Sequence, residues 1–189
     1  MRIIIKLLLI TIFIAFINRG DGAVNEDYNL NENINDINNI EILEPYIKIS
    51  PPSIQVYYYT KIYCKLYGVP ETIAFGVAKL ETNYRGPDNH NYNPLQISYA
   101  NAMGTYQLLL STAKDMYVLL NLGPRNELTS EMLLNDVELN TKLGIRYLRW
   151  IHDNISKDWK IVCGFYNTGY PTINEYAISA TKYFNTKNN

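Results

Sequence analysis

Nucleophiles and metal ligands are scarce in this chain, whose 189 residues include only two cysteines and two histidines. Cys64 and Cys163 lie roughly a hundred residues apart on two expected helices, with no chelating spacing. No histidine neighbours either one, which argues against a catalytic thiol. In an exported protein they could close one disulfide, and two buried free thiols fit equally well. His90 and His152 belong to no motif, so neither a metal nor a cofactor is expected. Charge of one sign is also lacking. The formal net charge is −1, and residues 51–189 carry 13 Lys+Arg against 11 Asp+Glu. That balance excludes a polyanion clamp, so nucleic acid is not an expected partner. No segment alternates apolar and polar residues as a strand would, and no internal repeat is present.

Long apolar runs are confined to one place. In "MRIIIKLLLITIFIAFINRGDGAV", Arg2 and Lys6 precede the run Leu7–Ile17, about the length of a secretory signal core and short for a membrane span. Residues 1–23 are therefore expected to be a signal peptide or an uncleaved signal anchor. Asp21 departs from the small-residue pattern at a cleavage site ending on Ala23. Residues 24–49 are dense in Asn and acids, which compete with regular structure and bury little, so a disordered linker is expected there. The chain should act after export, in the periplasm or cell envelope, secreted or membrane-anchored. Envelope-spanning or lysis machinery would be a possible partner.

Residues 50–189 form the expected folded domain. At 47% hydrophobic residues, the chain can supply its core. Ser50 with the following prolines opens a helix that Gly68 stops, and Pro70 opens a second. Residues 85–102 are a loop rich in Gly, Pro and Asn. Further helices are expected from Ser111, from Asn135, and in "DWKIVCGFYNTG" and "TINEYAISATKYFN". Leu139, Leu143, Tyr147 and Ile151 share one stripe of the long helix from Asn135. The fold class is all-α.

One residue disturbs this pattern. In "GVAKLETNYRG", Glu81 follows Val77 and Ile73 at helical steps, which puts a carboxylate on or beside a buried face. Such a group is costly unless partnered, and desolvation raises its pKa. The plain alternative is an edge glutamate reaching solvent. Three further segments have plain readings of their own. Gly104 in "NAMGTYQLL" suits a turn, Gly144 in "LNTKLGIRYL" a helix crossing, and "FYNTGY" a helix C-cap at Gly169.

Taken in order, "AKLETNY", "NAMGTYQLLLSTA", "LNTKLGIRYL" and "FYNTGYPTI" resemble the soluble-type lytic transglycosylase domain over roughly residues 53–184. The resemblance implies a lysozyme-like α fold that cleaves the MurNAc–GlcNAc β-1,4 bond of peptidoglycan glycan strands without water. Glu81 would be the sole catalytic carboxyl, first acid and then base, leaving a 1,6-anhydro product. That use fits a carboxyl kept partly dry. By position, Ser98 matches a serine contacting the sugar's N-acetyl region, and Gln107 the family glutamine. Tyr166 matches a tyrosine that approaches and orients the catalytic carboxyl, and Asn167 an asparagine bracing the site. Met103 and Leu109 would line the cleft.

The chain also departs from the family pattern. Asn101 replaces the first glycine of the second motif, Tyr106 stands where methionine is common, and "GPDNHNYNP" is apparently inserted, as a lid that could alter which strands fit. Two other readings compete. A goose-type-like hydrolase would need a second acid, for which Asp88 is the candidate. A peptidoglycan-binding module that lost activity would keep the cleft only.

Overall fold

The computed structural model describes residues 44–182; the expected export segment and most of the expected linker lie outside them. After a helical stretch at 44–49, seven helices follow in order among the described residues: α1 Pro52–Tyr67, α2 Glu71–Thr82, α3 Leu110–Leu119, α4 Ser130–Asn135, α5 Val137–Asn154, α6 Trp159–Thr168 and α7 Glu175–Lys182. Among the described residues there is no strand. Two isolated antiparallel bridges, Ile97 with Met103 and Met103 with Leu108, stitch the loop before α3.

The helix boundaries follow local chemistry. Gly68, at φ 63°, ends α1 by donating its N–H to Cys64 O. Asp136 and Asp158 cap α5 and α6 by accepting from Leu139 N and Lys160 N. Ser50 does something other than cap α1. Residues 44–49 are already helical, and Ser50 Oγ donates to Tyr46 O, closing that earlier turn; Pro51 takes the cap position. Ile47 is buried in the core, which is why folded structure starts before the expected boundary. The short α4 was not expected; it is capped by Thr129, whose side chain accepts from Met132 N. The third helix begins at Leu110, with Leu109 rather than Ser111 at its cap.

The long helix α5 runs through the core, where Leu143, Ile145, Leu148 and Ile151 are fully buried. It packs chiefly on α1, while α2, α6 and α7 pack on one another. Cys64 and Cys163 are both buried free thiols. Burial pushes the Cys163 thiol up to about 12 and the Cys64 thiol higher still, so both are inert at neutral pH.

One contact positions the site. A Cβ on Gly76 would lie 2.0 Å from the carbonyl oxygen of Ala180. The backbones of α2 and α7 therefore meet directly, with Ala177 and Ala180 buried as the other small residues in the seam. This draws α7 across the helix that carries Glu81.

Candidate active site

Glu81 is the penultimate residue of α2, one turn beyond the fully buried Val77 and Ala78. Its carboxyl is half-buried, and Tyr176 of α7 donates a 2.5 Å hydrogen bond to Oε1. Burial pushes the Glu81 pKa above the ordinary glutamate value, and the Tyr176 hydroxyl opposes that rise by stabilising the ionised form. Tyr176 is partly buried, and burial beside the Glu81 charge holds its own pKa well above the usual tyrosine value. Its hydroxyl therefore keeps its proton at neutral pH and donates to the carboxylate.

The next residue, Thr82, ties the helix end to the opposite wall. Thr82 Oγ1 lies 3.0 Å from Ala78 O, 3.1 Å from Thr105 O and 2.9 Å from Tyr92 Oη. The Tyr92 hydroxyl in turn donates to Thr105 Oγ1 at 3.0 Å. Gln96 donates its amide to Thr82 O and Asn93 O, while Gln107 donates its own to Gln96 O and Gly104 O. The loop after α2 is thus pinned: Tyr92 is keyed between Thr82 and Thr105, and Pro87 O accepts from Ser53 Oγ of α1. Its role is that of a strut joining α2 to the wall.

That wall is the 101–108 segment, held from behind by α5. Asn140, fully buried, donates to Met103 O and Leu133 O and accepts from Tyr106 N. Gly104 is required twice over, because its φ is 75° and a Cβ would meet Asn140 Nδ2 at 2.2 Å. Both departures from the family motif have structural causes. Asn101 sits at φ 59°, a left-handed conformation that Asn tolerates better than most non-glycine residues. Tyr106 is fully buried, its hydroxyl 2.9 Å from Thr60 Oγ1 and its ring over Gly144. Gln107 adopts φ 44°, a strained value for its type, and its amide's two backbone bonds hold it there.

The other expected site residues fall as follows. Tyr166 points its hydroxyl at Tyr106 O, 2.6 Å away, and its ring lies 5.3 Å from that of Tyr147. It is close enough to feel the Glu81 charge, but the phenol bonded to the carboxyl belongs to Tyr176. Asn167 is exposed and accepts from Asn174 Nδ2 at 3.2 Å; Asn174 in turn accepts from Ala177 N at the start of α7. Asn167 thereby supports the helix that delivers Tyr176. Ser98 is exposed on a tight turn, where its Oγ accepts from Ala102 N. Met103 is buried at the floor of a groove that Leu109 also lines. Asp88 lies in the pinned loop and bears on Tyr84, whereas burial and Tyr176 are what act on the Glu81 carboxyl.

Tyr176 escaped the sequence reading because it lies 95 residues from Glu81. The available signal was Ala177 and Ala180 beside it, small residues at helical spacing that mark a close helix contact.

Comparison with known proteins agrees with this architecture. The family model described as the transglycosylase SLT domain matches residues 62–189. The membrane-bound lytic murein transglycosylase C of Haemophilus ducreyi is 30% identical over 111 residues, covering 56% of this chain and 28% of that protein. Its counterpart from Mannheimia succiniciproducens is 35% identical over 89 residues, covering 47% of this chain and 22% of the relative. The chain thus spans about a quarter of the length of the curated relatives it matches. The crystal structure of the 70-kDa soluble lytic transglycosylase from Escherichia coli aligns with a TM-score of 0.50 at 21% identity, over 65% of this chain and 18% of that one. The lytic transglycosylase of Pseudomonas aeruginosa, solved as an inactive mutant, aligns with a TM-score of 0.50 at 16% identity, over 68% and 21%. At these identities the structures speak to the fold, which is the lysozyme-like one expected from the motifs. The helices that bring Glu81 and Tyr176 together lie inside the matched segment, and the chain belongs to the transglycosylase SLT domain family.

Proposed function

We propose that this chain is a peptidoglycan lytic transglycosylase that uses Glu81 as its single acid and base. The observation that carries the reading is the half-dry Glu81 carboxyl at the end of α2, held by a phenol. A raised pKa enlarges the protonated share of this carboxyl at a given pH, and that form can deliver its proton to the glycosidic oxygen as the C1–O bond breaks. The carboxylate left behind is stabilised by the Tyr176 hydroxyl. It then takes the proton from the MurNAc 6-hydroxyl while O6 bonds to C1, closing the 1,6-anhydro ring. No water is consumed, and Glu81 ends as it began. Ser98, Met103, Gln107, Tyr166 and Asn167 complete the substrate-binding set in this proposal, Gln107 and Asn167 by fixing the walls.

The relatives support the reading. Two are lytic murein transglycosylases by name, and a structure of the 70-kDa soluble enzyme holds bulgecin A. Their membrane-bound character favours a place in the cell envelope. Among the described residues no helix is long and apolar enough to cross a membrane, so we assign anchoring or export to residues 1–23. Envelope-spanning or lysis machinery would then work beside it.

Mass spectrometry of muropeptides released from purified sacculi by the full chain tests this, with Glu81→Gln alongside. Anhydro-muropeptides that disappear in the variant are the expected result. Reducing-end products would instead mean hydrolysis, and sacculi bound but uncut would mean a binding module.

A further inference from the structure

The solvent side of α1 carries a stripe that folding does not account for. Tyr58, Lys61, Ile62, Lys65 and Leu66 recur at helical steps along one face. Tyr58 is 42% exposed and Leu66 50%, both lysines are exposed, and Ile62 is half-buried. The opposite face of α1 already supplies the core through Val56, Tyr59 and Tyr63. No residue of α1 is acidic.

A basic row of α5 lies beside this helix. Lys142, Arg146 and Arg149 recur at helical steps and each meets α1. Lys142 Nζ stands 5.6 Å from the centre of the Tyr63 ring, and the Arg146 guanidinium carbon 5.9 Å from that of Tyr67. Arg149 Nη1 donates to Tyr67 O at 3.3 Å. The acids along the row are already engaged. Glu138 accepts from Tyr63 Oη at 2.6 Å and lies 3.8 Å from Lys48 Nζ, and Asp153 pairs with Arg149 and Lys157. Among the described residues Lys61, Lys142 and Arg146 make no ion pair. Arg146 is half-buried, and burial disfavours its charged form. An anionic partner facing the row would offset that cost.

We propose that the outward stripe of α1 and the basic row of α5 dock the domain on an anionic lipid surface. Such a surface complements both features at once: tyrosine and leucine enter the headgroup boundary while Lys and Arg meet the phosphates. A glycan strand would need amides to fix its hydroxyls, and neither stripe holds an Asn or Gln. The chain also enters the described domain on this side, since Lys48 lies against Glu138, one turn before Lys142. The inference goes beyond the function proposed above and does not depend on it, because the Glu81 site draws on α2, α6, α7 and the 101–108 wall.

The test uses the full chain with Leu66→Cys labelled by a polarity-sensitive dye; Cys64 and Cys163 are buried and escape the label. The probes are vesicles of phosphatidylcholine with and without phosphatidylglycerol. A blue shift of the dye on the anionic vesicles only, fading at high salt, is the expected result. Because the dye reports this face alone, attachment through residues 1–23 does not produce the signal. Lys61→Gln and Lys142→Gln should each lower the ratio of docked to undocked emission about fivefold, and about twenty-five-fold together. No shift on anionic vesicles, an equal shift on neutral ones, or a ratio unchanged in the double variant would overturn the proposal. A shift on purified sacculi with none on vesicles would also overturn it and assign the face to the wall.

Discussion

Replacing Tyr176 by phenylalanine removes one hydroxyl from the site and leaves the ring in place between α2 and α7. The lost bond is 2.5 Å long and ends on a half-buried carboxyl. A hydrogen bond to a charged group is worth about 1.5–3 kcal/mol. It acts mainly on the ionised form, which the proposed cycle visits only after Glu81 has given up its proton. A loss of that size at that stage corresponds to a fall in kcat of roughly ten- to a hundredfold. The pH dependence should change as well. Burial raises the Glu81 pKa and the Tyr176 hydroxyl opposes it, so deleting the hydroxyl leaves burial unopposed. The basic limb of the rate profile, where Glu81 loses its proton, therefore moves to higher pH. The assay is the release rate of anhydro-muropeptides across pH for wild type, Tyr176→Phe and Tyr166→Phe. Tyr166 serves as the control because its hydroxyl bonds the Tyr106 carbonyl. Its loss should cost about 1 kcal/mol of stability and leave the basic limb where it was. A Tyr176→Phe profile that superposes on wild type, or a limb that moves only in Tyr166→Phe, would refute this assignment of the two phenols.

Two further expectations concern stability. A carboxyl whose pKa is raised on folding weakens the fold above its folded-state pKa. That penalty is gone below the unfolded value of about 4.3, so stability recovers as pH falls through the window between them. Glu81→Gln removes the penalty and should stabilise the protein by about 1 kcal/mol at pH 7, with the difference from wild type closing by about pH 4 in denaturant melts. Gly76→Ala places a Cβ against the Ala180 carbonyl, which is backbone and must move. It should cost about 2–3 kcal/mol by thermal melting, and activity should fall further as α7 carries Tyr176 away from Glu81.

Most of the fold could be read along the chain because its signals are local. Gly68, Asp158 and Gly169 stop or start helices through bonds to residues within one turn. Glu81 stood out for the same reason, since its neighbours at helical steps are apolar whatever the rest of the chain does. Where local rules competed, the reading slipped: Ser50 could have accepted from the N–H groups of the helix ahead, and instead donates to Tyr46 O behind it. The third helix starts after Leu109 without a side-chain cap, so no local bond marks that boundary, and the Thr129 cap on α4, though local, was missed.

The sequence by itself therefore determined an all-α chain, the helix that carries the acid, and the loop that must follow it. Tertiary structure alone decided what that acid touches. Tyr176 reaches Glu81 from 95 residues away because Gly76 lets two backbones meet, while Tyr166, in the more conspicuous motif, turns to a carbonyl. Asn101 and Tyr106 looked like losses at a ligand site until a left-handed turn and a buried hydroxyl accounted for them. The reason is common to all of these. Helix formation depends on neighbours a few residues apart, whereas a carboxyl's pKa and partners depend on whichever distant segments the packed core brings within 3 Å of it.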